Sequence, residues 1–121
     1  GRPRRCGWLD LPALKYAIMV NGVTQLFMMK ADVLSGFDEI KVCTAYSVAA
    51  KEVTELPYCL SEIDRIIYTT LPGWNCEITG CKKWDELPSG LSSYIEFIEK
   101  ETGVPVTIVS VGPDRSATAY R

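Results

Sequence analysis

Apolar residues recur with helical period at Leu14, Ala17 and Ile18, with Asn21 on the same line, which predicts an α-helix from Leu11 to about Val20. Asp10 is suited to cap its start, Pro12 sits in its first turn where a missing N–H costs nothing, and Asn21-Gly22 supplies the stop. Val23 to Met29 is apolar enough for a buried strand, which ends at Lys30 and runs into a turn at Leu34-Ser35-Gly36. Alternation at Ile40, Val42, Thr44 and Tyr46 predicts a strand from Ile40 to Val48, and Lys51 to Leu56 reads as an edge or hairpin strand. Ile66 to Leu71 is a further strand, closed by Pro72-Gly73, and Asn75 to Lys83 lacks periodicity and reads as loop. The clearest helix spans Pro88 to Glu101, with Leu91, Tyr94, Ile95 and Ile98 as its apolar face and Gly103 as its C-terminal cap. The β-branched run Val104 to Val109, bounded by Gly103 and Gly112-Pro113, predicts a buried strand. The order helix, strands, helix, strand points to an α/β or α+β unit.

Composition narrows the function classes. At 121 residues, 47% hydrophobic and 23% charged, the chain can bury the core of one modest domain. A formal net charge of −2 argues against general nucleic-acid binding, which needs a basic footprint to release counterions from phosphates. There are 0 histidines, which removes Ser-His and Cys-His nucleophile pairs and histidine metal sites from this segment. Five cysteines with no secretory or membrane-spanning run read as reduced, cytoplasmic thiols. Cys76 and Cys81 lack the further nearby ligands that a zinc knuckle needs, so no metal site is expected in this segment.

Three clusters carry candidate chemistry. Lys30-Ala31-Asp32 lies at a strand's C-terminal end, where ligands sit in open α/β sheets. A carboxylate there can accept from the N1–H and the exocyclic amine of guanine, whereas adenine offers an acceptor at N1 and leaves the carboxylate unpaired. The lysine stem can cover the ring face while its ammonium stays in water. Ser110-Val111-Gly112-Pro113-Asp114-Arg115 directly follows the last strand, and its Ser110 hydroxyl and backbone amides can meet a base carbonyl. Arg2, Arg4 and Arg5 form an arm of forked donors suited to carboxylate and phosphate. Each cluster alone is also what a solvated strand end, an ordinary turn or a charged tail would look like.

Together, and in this order, they resemble the adenylosuccinate synthetase family over essentially the whole chain. The carrying residues are G-R-P-R-R-C-G-W-L-D at 1–10, K-A-D-V-L-S-G-F-D-E-I-K-V-C at 30–43, L-P-G-W at 71–74 and T-G-V-P-V-T-I-V-S-V-G-P-D-R at 102–115. The resemblance implies an α/β fold, this segment being the C-terminal part of a larger, mostly parallel sheet with flanking helices and a short antiparallel hairpin region. Residues 1–5 would end the loop that closes over aspartate, and 6–121 would supply the guanine-recognition strands and helices.

It also implies a GTP-dependent ligase that joins IMP and L-aspartate in AMP biosynthesis, with Mg2+ held by residues upstream, and a cytoplasmic homodimer as the complete protein. Carried over residue by residue, Gly1, Arg2, Pro3 and Arg4 would meet IMP and aspartate. Arg4, Lys30, Ala31, Asp32, Ser110, Val111 and Gly112 would meet GTP. Pro3 replaces an arginine found in many members, and Ala31 replaces a larger leucine. The phosphate-cradling loop, the catalytic aspartate and the catalytic histidine of the family would all lie upstream, so no catalytic residue is expected here and the segment alone should be inactive. The other readings are a non-catalytic guanine-nucleotide module and an interaction domain whose arginine arm binds an acidic partner.

Overall fold

The computed structural model describes residues 2, 3 and 5–121. Strand β1 (Leu9–Asp10) leads directly into helix α1 (Leu11–Asn21). The Asp10 carboxylate accepts from the Ala13 amide at 3.0 Å, as expected of an N-cap, and Gly22 closes the helix in the left-handed region at φ 61°. The helix buries Leu11 and Pro12 fully and Leu14 and Ile18 in part. Ala17 and Asn21, placed by their spacing on the apolar face, are exposed instead, because the helix meets the core with its first turn rather than along a continuous stripe.

The same Asp10 oxygen accepts from the hydroxyl of buried Tyr46 at 2.5 Å. Burial, and after it the bond to Asp10, pushes the phenol well above its ordinary pKa, so it stays a donor. Asp10 therefore serves both a helix start and a core tyrosine. We expect Asp10→Ala to cost about 2 kcal/mol, one cap plus one orphaned buried hydroxyl, read as a lower urea midpoint.

Strand β3 (Glu39–Val48) is the spine of a four-stranded sheet. Along one edge it pairs antiparallel with β5 (Ile63–Pro72) over its whole length. The other edge is shared by β1, parallel at Val42 and Cys43, and β4 (Lys51–Val53), antiparallel at Tyr46 to Val48. The predicted strand at 66–71 thus extends farther at both ends, and the one at 51–56 stops at Val53.

A second, three-stranded sheet holds β2 (Leu26–Met28), β6 (Val106–Ser110) and β7 (Thr118–Tyr120). Strands β2 and β6 run parallel, with Met28 opposite Val109, and β7 returns antiparallel to β6. The predicted buried strand at 23–29 is shorter and only half-buried. Leu26 and Met28 pack on the core, while Phe27 and Met29 point to the other face and are 53% and 62% exposed. Helix α2 (Ser89–Thr102) buries Leu91, Tyr94, Ile95 and Ile98 between the sheets and ends at Gly103, φ 70°. The result is an α/β fold with two mixed sheets, and among the described residues no helix is long and apolar enough to cross a membrane.

Candidate guanine-nucleotide site

Because β2 and β6 are parallel neighbours, the segments that follow them leave the sheet at the same end. After β2 the backbone turns at Lys30, which adopts the left-handed region at φ 58°, and enters a 3-10 turn, Ala31–Leu34. A lysine pays for that conformation in steric strain, so the surrounding bonds must hold it. The Val33 amide donates to the Lys30 carbonyl at 3.2 Å, the Ser35 amide to Asp32 at 3.1 Å, and the Phe37 amide to Leu34 at 3.3 Å. Ala31 is buried beneath this turn, Lys30 is exposed and Asp32 is half-buried.

After β6 comes the second loop. The Ser110 hydroxyl, itself buried, donates to the Gly112 carbonyl at 3.2 Å. The Val111 amide donates to Ala117 at 2.9 Å and the Ala117 amide to Asp114 at 3.0 Å, closing the loop on itself. The Asp114 carboxylate accepts from both the amide and the hydroxyl of Ser116, at 3.0 and 3.1 Å. That amide and then that hydroxyl hold the carboxyl below the usual range. A side chain at Gly112 would meet the Ala117 methyl at 3.0 Å, so glycine lets the loop close tightly.

Between the two loops lies a cavity of about 530 Å³. It is lined by Lys30, Asp32, Ser110, Gly112 and Arg115, with Phe27 and Tyr120 among its apolar walls. Four sequence-predicted residues from two distant segments are thereby brought together. Ala31 and Val111 support the site from behind: both are buried, and neither lines this cavity. Arg2 and Pro3 are exposed on an irregular arm and do not line it either. Gly1 and Arg4 lie outside the described residues. The wall residues Phe27, Met29, Thr118 and Tyr120 escaped the sequence reading. The exposed face of a three-residue strand leaves too short a pattern to show which side chains point to a ligand.

One feature gives the cavity a chemistry. Asp32 Oδ1 is buried and has no hydrogen-bond partner among the described residues. A buried carboxylate oxygen left without a donor is costly, and its cost is removed by a ligand that supplies one. With a lysine stem and apolar rings beside it, the cavity suits a flat ring that carries a hydrogen-bond donor.

The family profile described as "Adenylosuccinate synthetase" matches residues 1–119. The chain belongs to the adenylosuccinate synthetase family. It is 58% identical over 119 residues to the adenylosuccinate synthetase of Flavobacterium psychrophilum, covering 98% of this chain and 28% of that protein. It is 53% identical to the enzyme of Cytophaga hutchinsonii, covering 100% of this chain and again 28% of the relative. Among solved structures, the fully ligated adenylosuccinate synthetase of Plasmodium falciparum superposes with a TM-score of 0.92 at 34% identity, covering 99% of this chain and 30% of that one. The chain thus spans under a third of the length of these family members.

Proposed function

We propose that this chain is the guanine-recognising part of a GTP-dependent ligase that joins IMP to L-aspartate, giving adenylosuccinate, GDP and phosphate, and that it is inactive by itself. The observation that carries the proposal is Asp32, half-buried with one unpartnered carboxylate oxygen, lining one cavity with Lys30, Ser110 and Gly112. Family membership over residues 1–119 supports the reaction.

In this reading the Asp32 carboxylate accepts from guanine N1–H and the 2-amino group, while the Lys30 stem covers one ring face. The Ser110–Gly112 loop frames the opposite edge, with Ser110 and the loop amides toward the base carbonyl. The bond network within each loop keeps these groups in place before the nucleotide arrives, so little ordering cost is left for binding. Arg2, with Gly1, Pro3 and Arg4, is assigned to the loop that meets IMP and aspartate, its guanidinium offering a fork to carboxylate or phosphate.

The γ-phosphoryl group passes to O6 of IMP, and the amino group of aspartate then displaces that phosphate. The residues of this chain hold the donor nucleotide in register for the transfer, and positioning of this kind is the larger part of phosphoryl-transfer catalysis. Mg2+, when bound, would neutralise charge on the phosphates. Its ligands are assigned to the part of the family sequence upstream of this chain. The complete protein is assigned as a cytoplasmic homodimer.

The test is a coupled assay on the complete reading frame with GTP, IMP and aspartate, beside the 121-residue chain alone. Adenylosuccinate from the complete protein and none from the chain is expected. Turnover by the isolated chain would overturn the division of labour, and no product from either would overturn the ligase.

A further inference from the structure

The L-P-G-W block at 71–74 has no part in the guanine contacts, yet it grips the turn that carries them. Three hydrogen bonds run from the end of β5 to the segment just after the 3-10 turn. The Gly73 amide donates to the Asp38 carbonyl at 2.8 Å. The Trp74 indole N–H donates to Ser35 Oγ at 3.2 Å, and the Asn75 side-chain amide donates to the Asp38 carboxylate at 2.7 Å. Of these only the middle one is anchored in the core. Trp74 is 7% exposed and packs against Tyr94 of α2, with ring centroids 6.0 Å apart. Ser35, in turn, is bonded through its amide to the carbonyl of Asp32. Ser35 and Asn75 also line, with Asp32, one recess of about 460 Å³.

We infer that Trp74 and Ser35 are positioning residues for guanine selection: their hydrogen bond fixes the turn, and with it the Asp32 carboxylate, against the rigid core. The inference rests on the guanine reading proposed above. A carboxylate with one unpartnered oxygen, on a turn entered through a left-handed lysine, needs an external tie to stay in place. A side chain held by a packed partner keeps a binding geometry that a loop alone does not. Trp74 touches neither nucleotide nor reacting atoms in this reading. Its effect should therefore fall on GTP affinity and base preference and leave the chemical step alone.

The experiment uses the complete ligase with Trp74→Phe, Ser35→Ala, Ser35→Thr and their combination, alongside Asp32→Asn. Trp74→Phe and Ser35→Ala should each raise KM for GTP about three- to tenfold, the size of one lost hydrogen bond. The kcat and the KM for IMP should stay within about twofold. The double variant should be no worse than the worse single one, since both remove the same bond. Ser35→Thr, which keeps the acceptor, should behave like the unaltered enzyme. A lowered melting temperature with an unchanged KM for GTP, or KM values for GTP and IMP rising together, would overturn the inference. Should Trp74→Phe fail to fold, the Ser35 pair decides by itself. If Asp32→Asn shifts base preference while these variants do not, only this inference fails. If Asp32→Asn shifts nothing, the guanine reading fails and takes this inference with it.

Discussion

Asp32→Asn in the complete ligase is expected to lower the preference for GTP over ATP by about 10⁴-fold, judged from kcat/KM for each nucleotide. The size follows from what the substitution does at both edges of the contact. In the unaltered site Asp32 offers two acceptor oxygens, of which Oδ1 has no hydrogen-bond partner among the described residues. Guanine supplies two donors, at N1 and at the 2-amino group. Asparagine keeps one oxygen for N1–H but turns an NH2 toward the 2-amino group, so a favourable pair becomes two opposed donors in a sheltered place. The same geometry predicts a gain. Xanthine carries a carbonyl where guanine carries the amine, so the asparagine variant should prefer xanthosine triphosphate to GTP. The KM for IMP should hardly move. If the variant keeps its full GTP preference, base selection lies elsewhere, and the cavity between β2 and β6 is not the guanine site.

The folding pattern was legible wherever one face of an element meets the core over several turns. All four residues read as the face of α2, Leu91, Tyr94, Ile95 and Ile98, are buried there. Asp10 caps α1 and Gly103 closes α2 as local chemistry dictates. What stayed hidden was short or depended on distant partners. Strands β1 and β7, of two and three residues, carry no periodicity of their own and exist because a longer strand pairs with them. Phe27 and Met29 read as core because an apolar run does not say which of its faces meets solvent or a ligand.

The placement of the candidate residues was half legible in the same sense. Lys30, Asp32, Ser110 and Gly112 were nameable from type and motif. Their meeting depends on the parallel pairing of β2 with β6, a long-range register that no local window contains. The tie from Trp74 to Ser35 is of the same long-range kind. So is the burial of one Asp32 oxygen.

Gly73→Ala is expected to destabilise the fold by about 3 kcal/mol, the upper range for overpacking, seen as a lowered urea midpoint. A Cβ at this position would lie 1.9 Å from the Phe37 carbonyl oxygen and 2.9 Å from its carbon. Neither is the far end of a flexible side chain that could swing away. Both belong to the backbone that enters β3, and the next carbonyl, of Asp38, accepts from the Gly73 amide itself. Retreat in the other direction is also closed, because a Cβ built at Gly90 would sit 2.6 Å from the Gly73 carbonyl oxygen, so the start of α2 leaves little room behind the strand end. The added methyl must therefore push the 35–38 segment away from β5 and stretch the Trp74–Ser35 bond with it. Gly80→Ala is the matched control, since a methyl there meets nothing within 4 Å, and it should stay within about 0.5 kcal/mol of the parent. Equal midpoints for the two variants would mean that the backbones at Gly73 and Phe37 are farther apart than described. A lowered midpoint for Gly73→Ala together with a raised KM for GTP would show stability and base recognition failing through one contact, as expected if the end of β5 is the wall against which the guanine turn is set.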